Sequence, residues 1–546
     1  LTNRGIIDGV ETVLRAGTLN NIGSGRIYGD HLAIQAGELN NVAEDESAAT
    51  IAARQRLDLG VGTLNNSAHS LIYSDGDMSI GGQLDENNAA SGRATTINNH
   101  SATIESIGNM LINTATLNNI NDHFATEMVH LSDEQKEEYM VVGLNNGVHY
   151  GTSDYDISFY HDEVQHICIS GVVCNQDHYY QYAYTQSTWQ EQITESDPAQ
   201  ILAGGSLAIN ADNTLNDKSR IIAGGDLLVS NANLNNVELA GTLLVQKVGQ
   251  VIEWDRIHKK GHDKQKHDAS AYTPPDEIQS IALSPSVAKG NTKVDSSSPA
   301  LSGFSLGLLN SEDLASLPGG QRIEIAGSTD ATVIRSQVPD TTLPENSLFN
   351  PLPSSSSNYL IETDPRYTNQ KNWLSSDYML SQLRSDPDIT QKRLGDGFYE
   401  QRLVREQLVE LTGERYLAGY QSDEDQYKAL MEAGVAFGQA FNLVPGVALT
   451  ASQMANISSD MVWLVARDVT LADGSRQSVL VPQVYAQVKQ GDIDGSGALL
   501  SGRNIAVGVS GNMLNSGRVN ATQLLSISGD TITNVGGIIS GGNVQL

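Results

Sequence analysis

Cys168 and Cys174 are the chain's two cysteines, and they stand close together in a polar, tyrosine-rich stretch. That spacing suits a local disulfide in an oxidising compartment, which is favoured over two free thiols, whereas a zinc knuckle needs a tighter C-x₂₋₄-C pair. His161 and His166 do not make the H-E-x-x-H of a zinc protease, so no metal and no cofactor is expected. Asp492, Asp494 and Gly495 imitate half of a calcium loop, but the third oxygen position and the distant bidentate Glu are missing, and a turn is the better reading. No G-x-x-x-x-G-K-[ST] occurs, and the glycine pairs suit turns of positive φ. No catalytic residue is assigned, and the chain is not expected to be an enzyme.

The other chemistry on offer is recognition. Eight of the 19 tyrosines and half of the 12 histidines fall between Asn121 and Pro198. Alternation in Tyr155, Ile157 and Phe159, and again in Tyr180, Tyr182 and Tyr184, predicts two strands paired through a turn near Gly171, with the cysteines stapling it. Tyr and Trp give a binding surface large contact area at small entropy cost. The candidate partner-binding residues are therefore Tyr150, Tyr155, Tyr160, Tyr180, Tyr182, Tyr184 and Trp189, although one face of this set is expected to pack inward instead. A second candidate is His258, Lys259 and Lys260, which open the only basic run, ending at His267. It could meet phosphates or acidic loops, or serve as a solvated linker.

These residues need elements to hold them. Leu19-Asn20-Asn21, Leu39-Asn40-Asn41, Leu64-Asn65-Asn66, Ile97-Asn98-Asn99 and Leu117-Asn118-Asn119 recur with the period of a solenoid, with one longer gap near Asp85. Short alternating strands lie between them, as in Leu32 to Ile34 and Leu227 to Val229. The pattern resumes at Ile201 to Ile209 and at Leu500 to Val507. The expected fold is mainly β, a right-handed parallel β-helix in which Leu and Ile stack inward and the Asn pairs form side-chain amide ladders. A β-rich aromatic insert and a small helical segment interrupt it.

The boundaries follow the composition. Residues 1–120 read as β-helix, 121–197 as the aromatic, disulfide-containing insert, 198–250 as further coils, 251–358 as a Pro/Ser-rich receptor-binding or linker region, 359–490 as the helical segment with a hairpin, and 491–546 as the start of a second repeat block. In the helical segment Val404, Leu408 and Leu411 make one stripe, with Asp396 as N-cap and an end near Gly413; Tyr427, Leu430, Met431, Phe437 and Phe441 make another from Asp423. A hairpin is expected at Asp473–Gly474.

The formal charge is −31, from 33 Lys+Arg against 64 Asp+Glu. A phosphate-binding footprint must be positive, so nucleic acid is not an expected partner. No apolar run is long enough to span a bilayer. The chain opens inside repeat-like sequence, as a piece of a longer protein would.

The Leu-Asn-Asn repeats resemble those of filamentous-haemagglutinin-type exoproteins of two-partner secretion. Trp373 to Tyr378, Gln391 to Arg402, Tyr427 to Met431 and Leu480 to Tyr485 are similar to the segment that follows the receptor-binding region in contact-dependent growth inhibition effectors of the CdiA type. The resemblance implies a secreted filament, monomeric, on the surface of a Gram-negative cell. It implies export by an outer-membrane transporter, and recognition of an outer-membrane β-barrel protein or lipopolysaccharide on a neighbouring bacterium. The toxin would lie beyond Leu546. The alternative is a haemagglutinin-type adhesin for surface glycans or proteins.

Overall fold

The computed structural model describes residues 1–283, 287–290, 322–326, 333–351, 356–384, 391–489 and 497–546. The Asp492–Gly495 turn and part of the Pro/Ser-rich span, including Ser354, lie outside the described residues. The chain is mainly β and divides into two compact units. The first comprises Leu1–Phe124, Glu195–Leu239 and Ser284–Leu546; the second comprises Ala125–Thr194 and Ala240–Leu283.

In the first unit the repeats lie side by side as parallel strands in register. Leu19 pairs with Leu39, Leu39 with Leu64, Leu64 with Ile97, and Ile97 with Leu117. All five side chains are fully buried. The following Asn is buried too, and there its amide does two jobs. Asn21 Nδ2 donates to Asn41 Oδ1 at 2.8 Å and also to the Thr50 carbonyl at 3.0 Å, so each amide links its repeat to the next and satisfies a turn carbonyl. The ladder continues through Asn41, Asn66, Asn99 and Asn119 at 2.8–2.9 Å. The preceding Asn forms a second, less buried ladder with the opposite sense, in which Asn40 donates back to Asn20 and Asn65 back to Asn40.

The interruptions leave this register intact. Asn119 donates to Asn216, Asn216 to Asn236, and Asn236 to Asn515, each at 2.7–2.8 Å, although the whole helical segment lies between Asn236 and Asn515 in sequence. Ile112 likewise pairs with Ile209, and Val229 with Val507. Three sequence blocks thus join one parallel sheet of 19 strands. The gap near Asp85 is a small antiparallel hairpin, Gln83–Leu84 with Ala90–Ser91, turned where Asp85 Oδ1 accepts from the Asn87 and Ala89 amides.

The helical segment has its own core of Leu408, Leu411, Tyr427, Met431, Trp463 and Tyr485. Asp396 caps Gly397–Thr412 by accepting from the Tyr399 amide, and Gly413, at φ 75°, ends it in the left-handed conformation that favours glycine. Ser422 caps Asp423–Ala440, whose first turn holds three acids against the helix dipole. Phe441 departs from the expected stripe: it sits at the helix end and is exposed. Met461–Thr470 and Arg476–Gln487 form the hairpin that turns at Gly474, φ 79°.

This segment packs on the repeats. Tyr28, Leu71 and Tyr73 share a core with Phe349, Ile361, Tyr367 and Phe398. Beside it, buried Glu105 receives Arg405 and Arg415, each at 2.9 Å, and both guanidiniums also reach Asp423, at 3.1 and 2.9 Å. Burial opposes ionisation of Asp423, but the two guanidiniums outweigh it and hold the carboxyl below its ordinary range. Glu400 has no such cation. Burial raises its pKa to about 7, against hydrogen bonds from the Ser376 amide and hydroxyl and from the Tyr427 hydroxyl.

The second unit is antiparallel. Tyr150–Gly151, Phe124–Val141, Tyr179–Ser196, Ala240–Ile257 and Lys264–Tyr272 lie in that order, and Glu277–Ala282 also pairs with Ala240–Ile257. A three-stranded sheet of Ile157–His161, Gln165–Ile169 and Val173–Gln176 accompanies it. Three expectations are corrected here. The strand with Tyr155 at its approach pairs with Gln165–Ile169, not with Tyr180–Tyr184, because the turn at Gly171 closes onto Val173–Gln176 instead. Tyr180–Tyr184 pairs with Gly249–Glu253. Residues 240–250, read as coils, and 251–283, read as part of a receptor-binding or linker region, belong to this sheet, because Ala240–Ile257 pairs with Tyr179–Ser196 and in turn receives Lys264–Tyr272 and Glu277–Ala282.

Candidate functional site: an aromatic sheet face

The second unit has a small core. Tyr139, Tyr150, Ile167, Ile169 and Tyr179 are its large buried members, with Trp254 stacked on Tyr179 at 6.0 Å between ring centroids. Cys168 and Cys174 are joined, bridging Gln165–Ile169 to Val173–Gln176 beside that core. Most of the remaining aromatic surface is half-buried or exposed.

Strand parity decides which tyrosines go where. On Tyr179–Ser196 the odd residue Tyr179 turns into the core, and the even residues Tyr180, Tyr182 and Tyr184 turn to the other face. There Tyr272 joins them, 5.0 Å from Tyr182 and 5.3 Å from Tyr184, and His149 lies 4.4 Å from Tyr182. The result is a continuous aromatic stripe. Carboxylates anchor its ends: the Tyr184 hydroxyl donates to Glu138 at 2.7 Å and the Tyr180 hydroxyl to Glu253 at 3.1 Å. Burial, with those carboxylates, raises the pKa of both hydroxyls, so they stay protonated donors. The Tyr182 hydroxyl is the one of the three for which no bond to a protein group is described.

The sequence candidates separate into groups. Tyr150 and Tyr184 are buried, at 6% and 4% exposure, so their first role is packing. Tyr155 and Tyr160 are exposed, Tyr160 on the small sheet and Tyr155 at its approach. Trp189 has the parity of Tyr179, so it does not belong to the stripe; it packs on His130 at 4.7 Å. His258, Lys259 and Lys260 are exposed in the turn of the hairpin Ala240–Ile257/Lys264–Tyr272. His258 meets Asp263 at 3.2 Å and Lys266 meets Glu253 at 2.9 Å, which leaves Lys259, Lys260 and Lys264 as the outward lysines of the run. Tyr272, which completes the stripe, was missed in the sequence because it lies far along the chain in a stretch without alternation.

The stripe presents flat π faces, hydroxyl donors and a carboxylate border. One group of described residues elsewhere, His69, His123 and Asp197 in the first unit, brings ligand atoms within 4.8 Å of one another.

Sequence comparison finds relatives for part of the chain. It is 41% identical over 221 residues to "Toxin CdiA" of Yersinia pestis, covering 40% of this chain and 7% of that protein. It is 37% identical over 223 residues to "tRNA nuclease CdiA-2" of Burkholderia pseudomallei, covering 41% and 7%. It is 35% identical over 189 residues to "16S rRNA endonuclease CdiA" of Enterobacter cloacae, covering 34% and 6%. The chain thus spans a small fraction of the length of these relatives. No protein-family profile and no solved structure matches it. No helix among the described residues is long and apolar enough to cross a membrane.

Proposed function

Because this chain belongs to the CdiA type of contact-dependent growth inhibition exoprotein, we propose that it is the part that reaches and recognises the target cell. In this reading the in-register repeats wind as a right-handed parallel β-helix of the haemagglutinin type and give the exoprotein a monomeric filament. The second unit binds an outer-membrane β-barrel protein or lipopolysaccharide on a neighbouring bacterium. The filament is exported through a two-partner-secretion transporter to the surface of a Gram-negative cell. This segment is non-enzymatic, and the nuclease activities in the relatives' names belong to regions outside it.

One observation carries the proposal. The Asn ladder passes from Asn119 to Asn216 and from Asn236 to Asn515 without loss of register. The 125–194 and 240–283 segments therefore contribute nothing to the stack's repeat, yet they assemble a separate sheet with a half-exposed aromatic stripe. Sequence that a repeat does not need, folded around exposed rings, is what a recognition module looks like.

The test is capture of outer-membrane components from susceptible cells by the purified chain. Wild-type protein is expected to retain one β-barrel protein or lipopolysaccharide, and Tyr182→Ala and Lys259→Ala with Lys260→Ala to retain less. Equal capture by a protein lacking 125–194 and 240–283, shown folded by circular dichroism, contradicts the assignment. Capture of host glycans in place of bacterial components would favour the adhesin reading.

A further inference from the structure

His69, His123 and Asp197 are far apart in sequence, yet the fold of the first unit gathers them where the chain departs from the repeats after Asn121 and rejoins them before Ala199. Backbone bonds build the place. The Asp197 amide donates to the His123 carbonyl at 3.1 Å, joining the departing and returning strands. Asn121 Oδ1 accepts from the amides of both His123 and Asp197. Ser101 Oγ donates to the Asp197 carbonyl at 2.7 Å, and its own carbonyl accepts from the His69 amide at 2.8 Å. Ala68 and His69 are both left-handed, at φ 48° and 61°, an arrangement uncommon for residues with a side chain.

The side chains converge on one carboxylate oxygen. His123 Nδ1 is 3.3 Å and His69 Nε2 is 3.6 Å from Asp197 Oδ2, and the two imidazoles are stacked with ring centroids 6.3 Å apart. Four donors about 2.0–2.1 Å from a tetrahedral zinc ion stand roughly 3.3 Å from each other. The observed spacings match that edge. Glu345 borders the group, its Oε2 3.8 Å from His69 Nε2.

From this geometry we propose that His69, His123 and Asp197 form a divalent-metal site, selective for zinc or a similar borderline ion, that clamps the departing strand, the returning strand and a repeat turn together. Two imidazoles and one carboxylate suit such an ion better than calcium or magnesium, which take oxygen ligands throughout. The ligands are at least partly solvent-accessible, so an ion can enter without unfolding. A site of this composition stays open to water in one position and binds reversibly.

The test is calorimetric titration of the full chain with zinc, paired with cobalt(II) absorption spectra. The wild type should bind one ion more than His69→Ala, His123→Ala or Asp197→Asn, and should show the visible bands of a low-coordinate cobalt site that each variant lacks. His258→Ala with His262→Ala removes exposed histidines elsewhere and should leave the extra ion in place. Each site variant should keep the metal-free melting temperature of the wild type, with the zinc-induced rise seen only in the wild type and in the His258→Ala/His262→Ala control; should His69→Ala not fold, His69→Gln replaces it. Equal stoichiometry in wild type and site variants, or no zinc bound by the wild type, overturns the site.

Discussion

The two units place the same kind of strand under different rules. In the first, each residue is checked by its counterpart one repeat away: Leu against Leu, Asn against Asn, with fully buried side chains and amide bonds of 2.7–2.9 Å. Change in one repeat disturbs both neighbours, so the sequence is held to a pattern. In the second, strands pair antiparallel with unrelated partners, the core is small, and the tyrosine stripe has no repeat to satisfy. Its surface side chains are free to vary. The comparison shows where stability and where recognition can reside: regular stacking supplies the scaffold, and irregular sheet supplies a face that can be specific.

The largest separation between the units is expected from the buried charges of the first. Arg415→Ala leaves Glu105 and Asp423 sharing the single guanidinium of Arg405 inside the protein. Breaking a buried pair in this way costs about 3–5 kcal/mol. Urea unfolding followed by hydrogen exchange should show the loss in the helical segment and repeats, with protection in the second unit unchanged. Uniform loss in both would show that they unfold as one.

Next in size is the pH response. Glu400 has its folded pKa raised from 4.5 to about 7, so between those values the folded state holds a proton that the unfolded state has released. Its stabilising effect is therefore present below pH 4.5, declines as pH rises to about 7, and is constant beyond. Roughly 2.5 pH units at about 1.4 kcal/mol each make a fall of about 3.5 kcal/mol. Asp423, with a depressed pKa, acts in the opposite sense and loses its contribution as pH falls through its folded value. Urea midpoints of wild type and Glu400→Gln across this range should differ in slope; parallel curves would remove Glu400 from the account.

A smaller effect should be confined to the second unit. Cys168 and Cys174 close a loop with a sequence separation of 6. Loop-closure entropy at that length is worth about 2 kcal/mol. Cys168→Ser with Cys174→Ser should lower protection of Gln165–Ile169 and its neighbours and leave the repeats as they were. Mass mapping that finds both thiols free in secreted protein would contradict the pairing.

Much of the first unit was legible because repetition writes itself into sequence. The Leu-Asn-Asn spacing shows which residues pair, and Asp396 and Gly413 mark a helix through local capping chemistry alone. Long-range antiparallel pairing leaves no such trace. Nothing in 240–283 announces that it completes the sheet begun by 125–194, and so Tyr272 and the true partner of Tyr182 were missed. The same limit hid the Glu105, Arg405, Arg415 and Asp423 cluster and the His69, His123 and Asp197 group, whose members meet only through the fold. Parity was readable from the start: Tyr180, Tyr182 and Tyr184 share a face by spacing, and Trp189 does not.

The most direct test of the account is to measure binding of three purified variants to susceptible cells beside their stability. Tyr182→Ala alters the half-buried middle of the stripe, Tyr184→Ala a buried ring at its edge, and Asn216→Ala the ladder of the repeats, where the amide donates to Asn236 at 2.8 Å and the Ser219 carbonyl at 2.7 Å. Tyr182→Ala is expected to weaken binding by tenfold or more, the size of a hot-spot truncation of about 2 kcal/mol, with a stability change under about 1 kcal/mol. Asn216→Ala should do the reverse, costing about 1–3 kcal/mol of stability while folded protein binds as before. Tyr184→Ala should lose stability first. Full binding by Tyr182→Ala together with loss of binding by folded Asn216→Ala would place recognition on the repeats and contradict the account.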